Sequence, residues 1–299
     1  MGLACSLQGW ENQFLYFSEN EKSEEYQVCC FDNRGAGLSD TVLGRYTTSI
    51  LAQDAAELLD HLKWVKDIHL VGISMGGMIS LELALLKPTV FSSLCLTSTH
   101  SGTINHPISY RYPVFFSRQL KMLNPSHPFI SAVHMLFPEK FLAREAPKEF
   151  QPVHIPFKDN YTMEDVVIDG IRRKDRKTRL TTAAGFIGQI SAVMTHYVSP
   201  ARLRMIKENP NVLMVEKLGG RLDLYHDHGH ALPEENPKRY NKMLEEFINE
   251  SILKKEALIT LSKKMEDILI KECKDNDNGF IQLNDKRVVH SKRDSKFEV

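Results

Sequence analysis

The feature that most limits what this chain can become is the junction Gly72-Ile73-Ser74-Met75-Gly76-Gly77. Residues 67–73 read as a buried strand, and residues 75–87 as a helix stopped by Pro88. A serine hydroxyl is a weak nucleophile until a base takes its proton and a strained turn presents its oxygen. Glycines two before and two after Ser74 remove the side chains that would clash in such a turn, and Gly77 lets the helix pack close to its neighbouring strand. The N–H of Met75, at the helix start, is placed to face a developing oxyanion. The competing reading is a glycine-rich turn with an incidental serine. The strand before the motif and the helix after it favour the nucleophile.

The same rhythm surrounds the junction. Residues 26–31 read as a short buried strand, closed by Asp32-Asn33-Arg34-Gly35-Ala36-Gly37. Residues 49–64 form an amphipathic helix with Ile50, Leu51, Ala55, Leu58, Leu59 and Leu62 on one face. Residues 93–99 are a third strand. Strands alternating with helices imply a mostly parallel sheet with helices on both faces, an α/β fold. From 101 to 200 the rhythm changes to an aromatic-rich stretch (Tyr110, Tyr112, Phe115, Phe116, Phe129, Phe137, Phe141) with helical pieces, which reads as a helical cap inserted over the sheet. The sheet resumes at 211–215 and 222–225, and a helix is expected over 236–249. Residues 1–100 and 201–250 are thus the core, and 251–299 a charged helical tail that ends in a polar stretch expected to be disordered. Ile252, Leu253, Leu258, Ile259, Leu261, Met265, Ile268 and Leu269 could dock a partner or a membrane surface, although a packed or solvated appendage is the simpler reading.

Composition narrows the partners. The 299 residues carry 38 basic and 38 acidic side chains, and no basic stripe precedes the tail, which argues against a nucleic-acid partner. No apolar run approaches the roughly 18 to 20 residues that span a bilayer, and the N-terminus lacks the charged-then-apolar pattern of a secretion signal. The scattered cysteines 5, 29, 30, 95 and 273 suit a reducing, intracellular, cytoplasmic setting. There is no zinc-type Cys/His spacing, and His226, His228 and His230, two residues apart, read as strand and loop residues rather than a metal site. No cofactor is expected. A small-molecule substrate is.

A serine nucleophile needs a base from outside its own strand, and a late loop is a common source. His230, after Gly229 and just before the last core helix, is the candidate, with His228 and His226 as rim residues. Taken together, Phe31-Asp32-Asn33-Arg34-Gly35-Ala36-Gly37-Leu38-Ser39-Asp40, the Ser74 motif and Gly229-His230-Ala231-Leu232-Pro233 resemble the α/β-hydrolase superfamily, in its serine esterase/lipase branch (AB hydrolase-1 type), over roughly residues 1–250. The resemblance implies that the residue after a Met-Gly or His-Gly pair donates a second oxyanion N–H. That residue here is Leu3, partner to Met75. Met1 to Ser6 also fit the N-myristoylation pattern, with Gly2 as acceptor and Cys5 near it. The oxyanion reading of the same residues takes precedence.

Two departures follow from the resemblance. It implies about three strands before the Met-Gly pair, so a sheet normally of eight strands would keep five, incomplete on the N-terminal side. It also implies a triad acid on a loop after the penultimate strand, followed by a helix. Between Val215 and Arg221 only Glu216-Lys217-Leu218-Gly219-Gly220 remain, too few for a parallel crossover. A hairpin through Gly219-Gly220 is one way to connect the two segments; the other is that one of them is no strand. Glu216 is the nearest candidate for the acid. The expected function is hydrolysis of a carboxylic ester or related acyl bond through an acyl-enzyme on Ser74, weak if the acid is missing. Two rivals stand beside it: a non-catalytic binding or scaffold protein of hydrolase type, and an acyltransferase using the same site.

Overall fold

The computed structural model describes residues 1–19, 22–102, 133–179, 181–208, 213–214 and 228–275. A 3-10 turn, Leu7–Trp10, leads into α1 (Glu11–Ser18), followed by α2 (Thr48–His61), β1 (Ile68–Ile73), α3 (Met75–Leu86) and β2 (Phe91–Thr97). Then come α4 (Met163–Lys177), α5 (Ala183–Thr195), α6 (Pro200–Lys207), β3 (Leu213–Met214) and α7 (Pro237–Asp275). The strands run parallel in the order β1-β2-β3, with Leu70 opposite Leu94, Ile73 opposite Thr97 and Ser93 opposite Leu213.

Alternation along the strands divides the interior in two. Ile68 and Leu70 of β1 and Phe91, Leu94 and Leu96 of β2 pack in one cluster with α2, α3 and α6, through Leu51, Ala55, Leu59, Met75, Ile79, Leu83 and Ile206. Val71, Ile73 and Cys95 point the other way, into a cluster with Trp10, Phe17, Tyr240, Leu244 and Phe247. Successive strand residues face opposite sides, so β1 and β2 are covered on both faces, as the α/β reading requires. Each large apolar side chain taken wholly out of water, such as Phe91 or Leu94, contributes about 2 kcal/mol before entropy is counted. α2 begins where the Thr47 hydroxyl accepts the Ile50 N–H, a side-chain cap for an otherwise orphaned donor. α3 buries almost its whole surface, Met75 through Ala84, between the sheet and α2.

Two expectations change. Residues 26–31 alternate as a strand does, with Tyr26, Val28 and Cys30 packed inward and Gln27 and Cys29 exposed or nearly so, yet they join no ladder among the described residues. Alternation records which side chains are buried, whereas a strand also needs a neighbour's N–H and C=O groups. The expected helix over 236–249 continues to Asp275, because no glycine or proline interrupts the sequence between Pro237 and that residue. The core helix and the tail helix are therefore one element. Of the remaining expected strands, 211–215 is described only at Leu213–Met214, and 222–225 lies outside the described residues, as does the polar stretch from 276 onward.

The chain forms two compact units, Met1–Ile252 and Leu253–Val299. In the first, the region expected as a helical cap contains α4, α5 and part of a third small cluster, Val133, Phe137, Phe141, Leu142 and Ile168. Residues 103–132 lie outside the described residues, with Tyr110, Tyr112, Phe115, Phe116 and Phe129. In the second unit Leu258, Ile259, Leu261, Met265 and Ile268 are exposed. No helix of the described chain is long and apolar enough to cross a membrane.

Candidate active site

β1 ends at Ile73 and α3 begins at Met75, so a single residue carries the change of direction. Ser74 does so at φ 55° and ψ −121°, a conformation that a residue with a side chain adopts only under constraint, at a cost of about 1–3 kcal/mol. The constraint is visible in its backbone bonds. The Ser74 N–H donates to the Thr97 carbonyl at 2.9 Å, and its own carbonyl accepts from Gly77 N–H at 3.0 Å, Met78 N–H at 3.2 Å and Thr99 Oγ1 at 2.7 Å. Neighbouring backbone closes in so tightly that a Cβ on Gly72 would lie 2.6 Å from the Gly76 carbonyl oxygen. One on Gly76 would lie 2.8 Å from that of Met1. The Ser74 hydroxyl itself has no hydrogen-bond partner among the described residues.

The N-terminal segment lies against this serine. A Cβ on buried Gly2 would sit 3.4 Å from Ser74 Cβ and 3.8 Å from its Oγ. The Gly2–Leu3 peptide is held by its carbonyl, which accepts the Cys5 N–H at 3.3 Å. The Leu3 N–H finds no acceptor among the described residues. Neither does that of Met75, which as the first residue of α3 has no intrahelical partner. Asp32 fixes the segment from below: its two carboxylate oxygens accept the N–H groups of Leu7 at 2.6 Å and Leu38 at 2.8 Å. Asn33 Nδ2 donates to the Met1 carbonyl. Gly2 is thus packed beside Ser74.

His230 sits on the loop before α7. Its N–H donates to the Leu136 carbonyl at 2.8 Å, which also takes the Ala231 N–H at 3.3 Å, while the Glu235 carboxylate accepts the Gly229 N–H at 2.6 Å. Burial holds the imidazole below its ordinary pKa of 6.5, so it is neutral at pH 7 and able to take a proton. Burial pushes the Glu235 carboxyl up, against the downward pull of the Gly229 N–H, His228 and Arg144. Among the described residues no hydrogen bond joins the His230 ring to Ser74 or to a carboxylate. Glu216, the candidate acid, lies outside the described residues, as do Asp223, His226, Asp227 and the Gly219-Gly220 turn. No group of three metal-ligating side chains occurs among the described residues.

Sequence reasoning missed the supports of this site: the Leu136 carbonyl under His230, Glu235 on the loop, and Gln189 beside Ala4. None carries a spacing signal, since each acts through its place in the fold. Two aromatic residues of the stretch expected as a cap pack with each other. Phe137 and Phe141 stack on each other, ring centroids 5.7 Å apart, inside their own cluster.

A strained serine between a parallel strand and a buried helix is the geometry of one fold in particular, and residues 2–128 match the family model described as the alpha/beta hydrolase fold. The chain has the α/β-hydrolase fold. The chain is 36% identical over 97 residues to 3-oxoadipate enol-lactonase 2 of Acinetobacter baylyi, a match covering 32% of this chain and only 34% of that relative. It is 25% identical over 257 residues to RutD of Pseudomonas syringae pv. syringae, named as a carbamate hydrolase, covering 83% and 91% of the two chains. A thermophilic esterase from Thermogutta terrifontis superposes with a TM-score of 0.59 at 19% identity, over 84% of this chain and 88% of that one. The enol-lactonase of Burkholderia xenovorans superposes with a TM-score of 0.57 at 20% identity, over 83% and 88%. At such identities the two superpositions carry the fold alone.

Proposed function

We propose that this chain is a serine hydrolase that cleaves a carboxylic ester, a lactone or a related acyl bond. Ser74 Oγ attacks the carbonyl, His230 takes the proton and returns it to the leaving group, and the N–H groups of Leu3 and Met75 receive the oxyanion. Water then releases the acyl group from Ser74. The observation that carries the reading is the pairing of a strained Ser74, whose hydroxyl has no partner among the described residues, with the backbone N–H groups of Leu3 and Met75, which have no acceptor among them. Donors placed before the reaction stabilise the developing charge without reorganising, and one such donor is worth about 10²–10³-fold in rate. The hydrolase names of the relatives support the same reaction class. The protein is expected to be soluble and cytoplasmic, with a small acyl substrate; transfer of the acyl group to an alcohol would use the same residues.

A second reading has its own observation: among the described residues no carboxylate orients the His230 ring. A histidine in the wrong tautomer loses about 10⁴-fold in the serine-protease example, and a chain that lost its acid could serve as a binding module. Hydrolysis of short p-nitrophenyl esters separates the two. The first reading expects turnover that Ser74→Ala removes. Equal turnover by the folded variant, or none by the parent chain, overturns it.

A further inference from the structure

Gln189 is fully buried in α5, and its carboxamide makes two bonds that only an amide, or a neutral acid, can make together. Its Oε1 accepts the Ala4 N–H at 2.8 Å, and its Nε2 donates to the Arg34 carbonyl at 3.0 Å. Ala4 sits at φ 57°, left-handed backbone that an alanine does not choose freely. Its carbonyl is held as well, by Thr181 Oγ1 at 3.2 Å. One residue away lies Leu3, whose N–H is left without an acceptor among the described residues, beside Ser74.

We infer that Gln189 is a positioning residue for the oxyanion side of the site: by clamping strained Ala4 it fixes the direction of the Leu3 N–H. The inference rests on the serine-hydrolase reading of Ser74. The two peptide groups flanking Leu3 are tied, the preceding one through Gly2 carbonyl to Cys5 N–H and the following one through Ala4 N–H to Gln189. Without the carboxamide, Ala4 has no buried acceptor to hold it in the left-handed region, and it relaxes toward ordinary backbone angles. The Leu3 N–H turns with it. The substrate-facing donor on the N-terminal segment is therefore set from a helix 185 residues away in sequence, in the region that covers the sheet.

The test compares the parent chain with Gln189→Met, Gln189→Glu and Thr181→Val. Its readouts are kcat and KM for p-nitrophenyl butyrate, pH profiles, and amide hydrogen exchange of the 1–9 segment. Gln189→Met is expected to lower kcat about 10–100-fold with KM changed less than about threefold, because a donor used mainly in the transition state is lost. Hydrogen exchange in the 1–9 segment is expected to speed up. A neutral carboxyl group at position 189 can donate and accept as the amide does, whereas an ionised one cannot donate. Gln189→Glu should therefore approach parent activity at acidic pH and add an alkaline limb that the parent lacks. Thr181→Val removes one bond only and is expected to lower kcat about 3–10-fold, which keeps the test open if Gln189→Met does not fold. Folded variants with unchanged kcat, or with no alkaline limb in Gln189→Glu, overturn the inference. Absence of turnover in the parent chain overturns the serine-hydrolase reading instead, and exchange at 1–9 still reports whether Gln189 holds the segment.

Discussion

Ser74 is costly to hold where it is, and the cost explains the residues around it. The Ser74 N–H and carbonyl are tied to β2 and to the loop beyond it through Thr97 and Thr99, so the strain is borne by the sheet rather than by the motif. His230 brings a pH signature. Burial lowers its pKa from 6.5, and only the neutral ring can accept the serine proton. The kcat/KM of ester hydrolysis is therefore expected to be flat near pH 7 and to fall about tenfold per pH unit on an acid limb whose midpoint lies below 6.5. A midpoint above 6.5 would show an imidazole stabilised in its charged form, in conflict with the burial that surrounds it.

At the scale of elements, both sides of the site hang on the helical region between residues 133 and 208. Leu136 carries the His230 loop, and Gln189 in α5 carries the N-terminal segment. A third tie is an ion pair: Arg202 of α6 grips Glu82 of α3 with two bonds of 3.1 and 2.8 Å. Glu82 is buried, and Arg202 is partly exposed. Removing only the arginine strands a buried carboxylate, so Arg202→Met is expected to cost about 2 kcal/mol in urea denaturation, less than a fully buried pair would because water reaches the guanidinium. The double variant Arg202→Met with Glu82→Leu should recover part of that loss. A single variant as stable as the parent would show that α6 is not anchored this way.

Elements were also where the sequence spoke most unevenly. β1, α3, α2 and β2 were legible because apolar runs, periodicity and the glycines around Ser74 are local signals. The reading of Leu3 as an oxyanion donor came only through the resemblance of the Met1-Gly2-Leu3 segment to its family counterpart, and it remains a proposal. Residues 26–31 showed a strand's alternation without its ladder, since pairing depends on a neighbour that alternation does not encode. The extent of α7 was hidden by a polar change of composition near 250, although polar residues do not stop a helix. Gln189 and Leu136 were invisible because their bonds join segments far apart in the chain, and Glu235 because nothing in its local pattern marks which N–H it accepts.

For the whole molecule, buried neutral histidines set how stability depends on pH. His196 shares a hydrogen bond of 2.8 Å with Thr48 Oγ1, and its Nε2 is buried without a partner among the described residues. Burial, opposed by the Glu82 carboxylate and aided by the Arg202 charge, lowers its pKa from 6.5 to about 4. His69, His100 and His230 shift the same way. An unfolded chain takes up protons on these residues as pH falls through 6.5, and the folded chain does not until lower pH. Their effect is therefore absent above 6.5, and stability is lost between 6.5 and about 4, on the order of 3 kcal/mol for His196 alone. Urea midpoints should be lower at about pH 4.5 than at about pH 7.5, and a midpoint that does not move would contradict neutral burial of these rings.

We propose that Ser74 is a working nucleophile flanked by the N–H groups of Leu3 and Met75, which have no acceptor among the described residues. The most direct measurement of this is intact-mass spectrometry of the folded chain after exposure to a fluorophosphonate, with Ser74→Ala beside it. One phosphonyl adduct per chain, located on Ser74 and missing from the variant, is the expected result. A folded chain that gains no adduct, or gains it equally in the variant, would contradict the claim.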